Sequence, residues 1–130
     1  GPKKSTYPWG KEMASGKANF CDKNCKKKWK NGNFNDGYPA IAPVGSYPPN
    51  QYGLYDMAGN VAEWTNDWYG KSYYRSSPKE SPQGPERGQK KVIRGGGWNV
   101  EASYLRVTIR GGQEMDKRSS SIGFRCVADL

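Results

Sequence analysis

The stretch from Asn50 to Tyr69 places the strongest limit on what this chain can fold into. It reads NQYGLYDMAGNVAEWTNDWY and mixes large aromatic side chains with turn-forming residues and acids. Its apolar spacing fits neither an amphipathic helix nor an alternating strand. We therefore expect a rigid loop that leads into a strand.

The same stretch carries Asp56 and Glu63, whose carboxylates suit a hard cation. Such ions take several oxygen ligands, and irregular backbone leaves carbonyl oxygens available to them. The alternative is that the two acids are solvated or cap local turns. Spacing alone does not separate these readings.

Composition favours one domain with an aromatic core. The chain has 130 residues and 34% hydrophobic residues, so its 9 Tyr and 5 Trp must supply much of the buried area. No apolar run reaches membrane-spanning length, and no secretory signal peptide is recognisable. Gly1-Pro2 is typical of a protease-cleavage scar, and we expect residues 3–6 to form a tail.

The net charge of +9 makes an anionic partner worth considering. Much of the excess lies in one cluster of lysines, at Lys23, Lys26, Lys27, Lys28 and Lys30. No nucleic-acid-binding motif accompanies the cluster. We therefore interpret it as a solvated face and do not expect a nucleic-acid partner.

The cysteine and histidine content limits which catalytic sites, metal sites and disulfides this chain can form. There is no histidine, which excludes a Ser-His-Asp or Cys-His nucleophilic site within this chain and the zinc sites that need histidine. The three cysteines are Cys21, Cys25 and Cys126. Cys21 and Cys25 can pair with each other, one of them can pair with Cys126, or all three can be thiols.

Along the chain, residues 1–18 should be mostly loop with Tyr7 and Trp9 as anchors, and residues 39–50 should be extended because of their prolines. Residues 70–90 read as a surface loop. The glycines at 95–97 indicate positive φ or close packing. Residues 104–110 alternate and predict a half-buried strand, followed by a polar loop at 111–121 and a closing strand at 122–128. The whole pattern predicts a loop-rich, mostly β domain.

Several motifs occur together in a fixed order. They are YPWG (7–10), NF (19–20), DGY (36–38), PVGSYPPNQYGLYDMAGNVAEW (43–64), GP (84–85), VIRGGGW (92–98), LR (105–106) and IGFRC (122–126). In this the chain resembles the formylglycine-generating enzyme (sulfatase-modifying factor) family. The resemblance implies an α+β, loop-rich and mostly β fold of the elaborated C-type-lectin-like kind over residues 1–130. The family's N-terminal portion is not recognisable here, so we expect that portion or a partner chain to complete the fold.

The resemblance also implies two structural calcium ions. One would be held by the side chains of Asn19 and Asp36 and the carbonyls of Phe20 and Tyr38. The other would be held by the side chains of Asp56 and Glu63 and the carbonyls of Gly59 and Val61. All the side chains named carry oxygen donors, as calcium requires.

Catalysis carries over poorly from the family. Its copper-binding cysteine pair aligns with Val100 and Leu105, and its serine before the aromatic residue aligns with Gly97. Copper(I) needs thiolate or thioether ligands, so the resemblance argues against formylglycine-generating activity. It also implies that Cys126 forms a structural disulfide with the N-terminal portion. Calcium and a disulfide favour an extracytoplasmic location.

The function expected is therefore that of a non-catalytic, calcium-stabilised module that binds a protein or small-molecule ligand. Variable proteins of diversity-generating retroelements are one such group in bacteria, and their ligand contacts follow the RGG segment. The matching candidates are Trp98, Asn99, Val100, Glu101, Ser103, Tyr104, Arg106, Thr108 and Arg110. Trp98 is alternatively a core residue. The alternative function is an enzyme or accessory maturation factor that acts through an N-terminal portion or a different metal.

Overall fold

A computed structural model describes residues 5–128. The predicted scar at Gly1-Pro2 and the first half of the tail at 3–6 lie outside the described residues. The elements are β1 (Ala62–Trp68), a 3₁₀ turn (Tyr73–Arg75), β2 (Lys90–Arg94), a second 3₁₀ turn (Ala102–Leu105), β3 (Gly111–Glu114) and β4 (Ile122–Gly123). Residues 5–128 contain no α-helix, and none of their helical segments is long and apolar enough to span a membrane. The loop-rich, mostly β prediction is confirmed.

The four strands form one sheet in the order β3-β2-β1-β4. β1 runs antiparallel to β2, with Glu63 opposite Arg94, and parallel to β4, with Ala62 opposite Ile122. The predicted strand after the Asn50 loop is thus present as the second strand from one edge. This order brings the glycine triplet, which follows β2, beside the loop that precedes β1.

The predicted strand at 104–110 is wrong. Leu105 ends a 3₁₀ turn and is only 1% exposed, whereas Val107 is 43% exposed, so the alternating residues do not share a buried face. The guanidinium of Arg94 donates to the carbonyls of Val107 and Ile109, both at 3.3 Å. A side chain therefore satisfies these backbone groups in place of a neighbouring strand.

β3 instead lies in the segment predicted to be a polar loop, and its glycines explain why. A Cβ atom on Gly112 would lie 2.4 Å from the ring of Tyr69. Only glycine lets the strand pass this close to the aromatic ring. The predicted closing strand at 122–128 is also shorter than expected, because it pairs only at Ile122–Gly123.

The core is small and less aromatic than the composition predicts, because Phe20 and Tyr47 are the only buried aromatic residues among those described and the other core aromatics are half-buried. Buried Phe20 and Leu105 pack with Ala18 and Ala58. Phe20 meets Phe34 edge to face at 5.6 Å, and the predicted anchors Tyr7 and Trp9 stack at 5.2 Å. Cys21 is bonded to Cys25, and Cys126 is free and exposed, which settles the pairing left open by the sequence.

Candidate cation sites and ligand-binding surface

The first predicted cation site, here called the inner site, consists of Asn19, Phe20, Asp36 and Tyr38. Asn19 is 1% exposed and Asp36 is 9% exposed. One carboxylate oxygen of Asp36 accepts the Phe20 N–H at 2.9 Å, and the other accepts the Tyr38 N–H at 2.8 Å. The carboxylate therefore joins the two loops that carry the expected carbonyl ligands.

Asn19 leaves one oxygen of the inner site without a hydrogen bond. Its amide nitrogen donates to the Ala40 carbonyl at 2.7 Å and to Asn60 Oδ1 at 3.3 Å. Its Oδ1 is buried and has no hydrogen-bond partner among the described residues. A buried unpaired oxygen costs about 1–3 kcal/mol. Because an oxygen-seeking cation would satisfy it, the inner site fits the calcium ion that the resemblance implies.

Asp22 belongs to the same site and was missed from the sequence. It is 0% exposed, and its carboxylate accepts the backbone N–H groups of Asn24, at 2.7 Å, and of Asp36. Burial raises the pKa of Asp36, and the negative charge of Asp22 raises it further. Asp22 stands beside the lysine cluster, so in the sequence it looks like part of a solvated face.

The second predicted site, here called the outer site, consists of Asp56, Gly59, Val61 and Glu63. All four line an open cavity of about 400 Å³. Asp56 and Gly59 have positive φ, 53° and 81°, so the backbone turns sharply where the predicted carbonyl ligands lie. Asp56 also accepts the Gly45 N–H at 2.7 Å.

A guanidinium already occupies much of the outer site. Arg125 Nε donates to Glu63 at 2.6 Å, and its other nitrogens donate to Glu63, to the Tyr55 carbonyl at 3.0 Å and to the Asp56 carbonyl at 3.3 Å. The hydrogen bond with Glu63 raises the pKa of Arg125. The chain itself therefore supplies the positive charge here, and the fit to a calcium ion is poorer than at the inner site.

Neither site is a cluster of acids. Among residues 5–128 no three His, Cys, Asp or Glu side chains come together as a metal-binding group. A cation at either position would therefore depend on amide and backbone oxygens as well as carboxylates.

Asn60 links the inner site to Trp98, the residue that follows the glycine triplet. Its side chain bonds both backbone groups of Ala42, at 2.9 and 3.1 Å. Its backbone N–H donates to the Asn19 carbonyl, and its carbonyl accepts the Trp98 N–H, each at 2.8 Å. Asn60 therefore fixes the backbone of the inner site next to the start of the predicted ligand segment.

The predicted ligand residues, here called the recognition segment (Trp98–Arg110), divide into two groups. Five have exposed side chains: Glu101, Ser103, Tyr104, Arg106 and Thr108. The half-buried ones are Trp98, Asn99, Val100 and Arg110. The indole of Trp98 donates to the Ser120 carbonyl at 3.2 Å, so it is neither freely exposed nor core.

Arg110 lies between two tyrosine rings. Its guanidinium is 4.9 Å from the ring centroid of Tyr69 and 4.7 Å from that of Tyr74. It also donates to the Gly70 carbonyl at 2.7 Å. These contacts hold the 70–75 loop against β3, so Arg110 acts as a scaffold residue.

A cavity of about 260 Å³ lies beside the glycine triplet. Its walls include Val100, Tyr104, Ile109 and Asn99, and the buried Oδ1 of Asn99 has no hydrogen-bond partner among the described residues. The triplet itself is tightly packed, because a Cβ on Gly96 (φ 69°) would lie 3.0 Å from the Tyr104 carbonyl oxygen. The closely packed backbone expected from three glycines is confirmed.

The two positions that the resemblance aligns with copper ligands, Val100 and Leu105, carry hydrocarbon side chains. Val100 packs against the core and lines the cavity. Leu105 is one of the largest fully buried side chains among the described residues. Neither can donate an electron pair to a soft metal.

Comparison with known proteins identifies the family of the chain. The family model for the sulfatase-modifying factor enzyme 1-like domain matches residues 1–130. The formylglycine-generating enzyme of Streptomyces coelicolor is 39% identical over 132 residues, which cover 95% of this chain and 40% of that protein. The chain therefore spans about two fifths of that relative.

Two solved structures are similar to the fold. PvdO from Pseudomonas aeruginosa matches with a TM-score of 0.69 and 30% identity over 92% of this chain and 42% of its own. Treponema denticola variable protein 1 matches with a TM-score of 0.61 and 40% identity over 69% of this chain and 32% of its own. The motifs, the sheet and the full-length family match agree, and the chain belongs to the family of sulfatase-modifying factor enzyme 1-like domains.

Proposed function

We propose that this chain is a non-catalytic binding module with a calcium-stabilised, C-type-lectin-like scaffold. The observation that carries the proposal is the contrast within one segment. Val100 and Leu105, at the positions aligned with copper ligands, are hydrocarbon and contribute to the core, whereas Tyr104 between them is 53% exposed. The segment thus supports contact with a ligand better than metal-dependent chemistry.

The recognition segment has the features of a binding surface on a fixed support. Arg106 Nε donates to the Ser103 carbonyl at 2.9 Å, which fixes the backbone beneath the exposed side chains. Tyr104 presents an aromatic ring, and aromatic residues and arginine contribute much of the free energy of protein interfaces. Similarity to Treponema denticola variable protein 1 supports this use of the fold.

Calcium is the cofactor we propose, with the inner site as its main position. Buried Asp22 and Asp36 are close in space, and the orphaned Asn19 oxygen adds a neutral ligand. When bound, calcium would offset the two buried negative charges and order loops that have few ladder hydrogen bonds. Calcium at the outer site remains an expectation from the resemblance.

We also propose an extracytoplasmic location and a covering partner. The Cys21–Cys25 disulfide supports the first. For the second, exposed Cys126 lies between Phe124, 76% exposed, and Val127, 92% exposed. An N-terminal portion of a longer protein, or a partner chain, would cover these side chains.

An enzymatic or accessory role is the rival proposal, because a formylglycine-generating enzyme is 39% identical over this region. Such a role would need soft-metal ligands from outside these 130 residues, or a different metal. The chain's own residues then serve only to position the rest.

The two proposals differ in the metal they require, copper for oxygen-dependent catalysis and calcium for stability of the binding module, and one experiment tests both. The purified protein is given copper(I) and a cysteine-containing peptide in air, with the Streptomyces coelicolor enzyme as positive control, and oxygen consumption and peptide mass are followed. We expect no turnover with copper, and a rise in melting temperature on adding calcium to the chelator-treated protein. Oxygen-dependent conversion of the peptide would overturn the binding-module proposal.

A further inference from the structure

Among residues 5–128 the lysine cluster forms no salt bridge. Lys23, Lys26, Lys27, Lys28 and Lys30 are all exposed. The one acid nearby in sequence, Asp22, is 0% exposed and is held by N–H groups. Within residues 5–128 the only salt bridge joins Arg125 to Glu63. The cluster therefore presents positive charge without a salt bridge, and four of its five lysines follow directly after the Cys21–Cys25 disulfide.

Trp29 stands in the middle of this charge with its ring half open to solvent. It is 50% exposed, and its indole N–H donates to the Asn99 carbonyl at 3.0 Å. The Lys27 ammonium lies 6.0 Å from the ring centroid. A large aromatic ring held by a hydrogen bond across 70 residues of sequence is a fixed platform.

Beside Trp29 lies an open polar cleft of about 460 Å³, here called the basic cleft. One wall carries Trp29, Lys30, Asn31 and Asn33, and the other carries Glu101 and Ser103. Amide and hydroxyl groups both donate and accept hydrogen bonds, and the Glu101 carboxylate accepts them. This set of groups matches the hydroxyls of a sugar ring, which both donate and accept hydrogen bonds. The phosphates of a nucleic acid only accept them and would give the Glu101 carboxylate no donor.

We propose that the basic cleft binds an anionic polysaccharide, one that carries carboxylate or sulfate groups. The apolar face of a sugar ring would pack on Trp29, the cleft amides and Glu101 would bond its hydroxyls, and the lysines would pair with its charges. Because Glu101 and Ser103 also belong to the recognition segment, the inference rests in part on the proposed function and assigns it a ligand class.

The test measures dissociation constants by calorimetry for four probes. They are a sulfated heparin oligosaccharide, an oligogalacturonate, a neutral cello-oligosaccharide and single-stranded oligothymidylate. We expect binding of at least one of the first two, weakened by salt, and much weaker binding of the others. Trp29→Ala should weaken binding about tenfold, whereas Trp29→Phe, which keeps a ring, should stay within about threefold.

Two matched controls separate a built site from general attraction to polyanions. Tyr52→Ala removes another exposed aromatic residue outside the cleft and should leave binding unchanged. Changing Lys26, Lys27 and Lys28 to Gln should weaken binding at least about tenfold. Changing Lys79, Arg87 and Lys117, which are exposed elsewhere, to Gln alters the net charge by the same amount and should weaken binding less than about threefold. Circular dichroism confirms that each variant is folded.

Three outcomes would overturn the inference. The first is an equal loss of affinity in the two triple variants. The second is that oligothymidylate binds as tightly as the anionic saccharides and that its binding depends on Trp29. The third is that neither anionic saccharide binds. None of these touches the calcium and copper measurements. Failure of the basic cleft alone would therefore leave the binding-module proposal standing.

Discussion

The inner and outer cation sites contain similar ligands but differ in how their negative charge is balanced. At the inner site Asp22 and Asp36 are buried together, the pKa of Asp36 is raised, and no salt bridge reaches them among the described residues. At the outer site Glu63 is paired with Arg125. The negative charge of an oxygen-rich site can therefore be neutralised by an ion from solution or by a side chain of the same chain, depending on what packs beside it.

The largest effect should come from removing the inner carboxylate. Asp36→Ala takes away the acceptor of the Phe20 N–H, which is buried, and of the Tyr38 N–H, which is partly buried. Without calcium we expect a loss of about 3 kcal/mol in the free energy of unfolding, since each charged hydrogen bond contributes about 1.5–3 kcal/mol and relief of repulsion from Asp22 offsets part of it. Urea denaturation in calcium-free buffer measures this change in the free energy of unfolding. Exposed Asp116→Ala is the control, and a loss no larger than the control's would contradict the account.

The disulfide next to the inner site should have the second largest effect. Replacing Cys21 and Cys25 by Ser opens a loop with a sequence separation of 4. Chain entropy alone predicts a loss of about 2 kcal/mol for so short a loop. Thermal unfolding of the double variant measures the loss. Cys126→Ser, which breaks no bond within these residues, should leave the melting temperature unchanged, and equal losses for the two would count against the pairing.

The outer ion pair should matter less because it is partly exposed. Arg125→Gln should cost about 1 kcal/mol, the upper range for such pairs, since the pair is bidentate. A double-mutant cycle with Glu63→Gln in calcium-free buffer isolates the coupling between the two residues. A coupling near zero would mean that the guanidinium does not balance Glu63, and the contrast between the sites would fail.

The smallest effects should come from the exposed recognition residues. Tyr104→Ala and Thr108→Ala remove side chains that make few internal contacts, so each should change the free energy of unfolding by less than about 0.5 kcal/mol. Chemical denaturation measures the change. A loss above about 1 kcal/mol would assign that residue to the scaffold, as the geometry already does for Arg110.

Local patterns in the sequence predicted the fold where contacts are local. The Asn50 loop leads into β1 and the glycine triplet packs closely, both as expected, and the predicted anchors Tyr7 and Trp9 are half-buried. Alternation at 104–110 misled because a strand needs a neighbour, and the Arg94 side chain takes that place. β3 forms at Gly111–Glu114 because glycine fits against Tyr69, a contact that no periodicity reveals.

The candidate sites, too, could be predicted only in part from local sequence motifs. Motifs identified Asn19, Asp36, Asp56 and Glu63 as candidate ligands. They do not show that Asp22 is buried beside Asp36 or that Arg125 reaches Glu63. Both contacts depend on tertiary packing. The residues alone pointed only to Asp56 and Glu63 of the outer site, whereas burial and the orphaned Asn19 oxygen favour the inner one.

Calcium titration calorimetry on chelator-treated protein tests the central proposal most directly. The wild type should bind calcium and gain thermal stability. Asp36→Asn should weaken binding at the inner site at least about tenfold, while Glu63→Gln should change it less than about threefold. Absence of calcium binding, or loss of binding in Glu63→Gln with Asp36→Asn unaffected, would contradict the account.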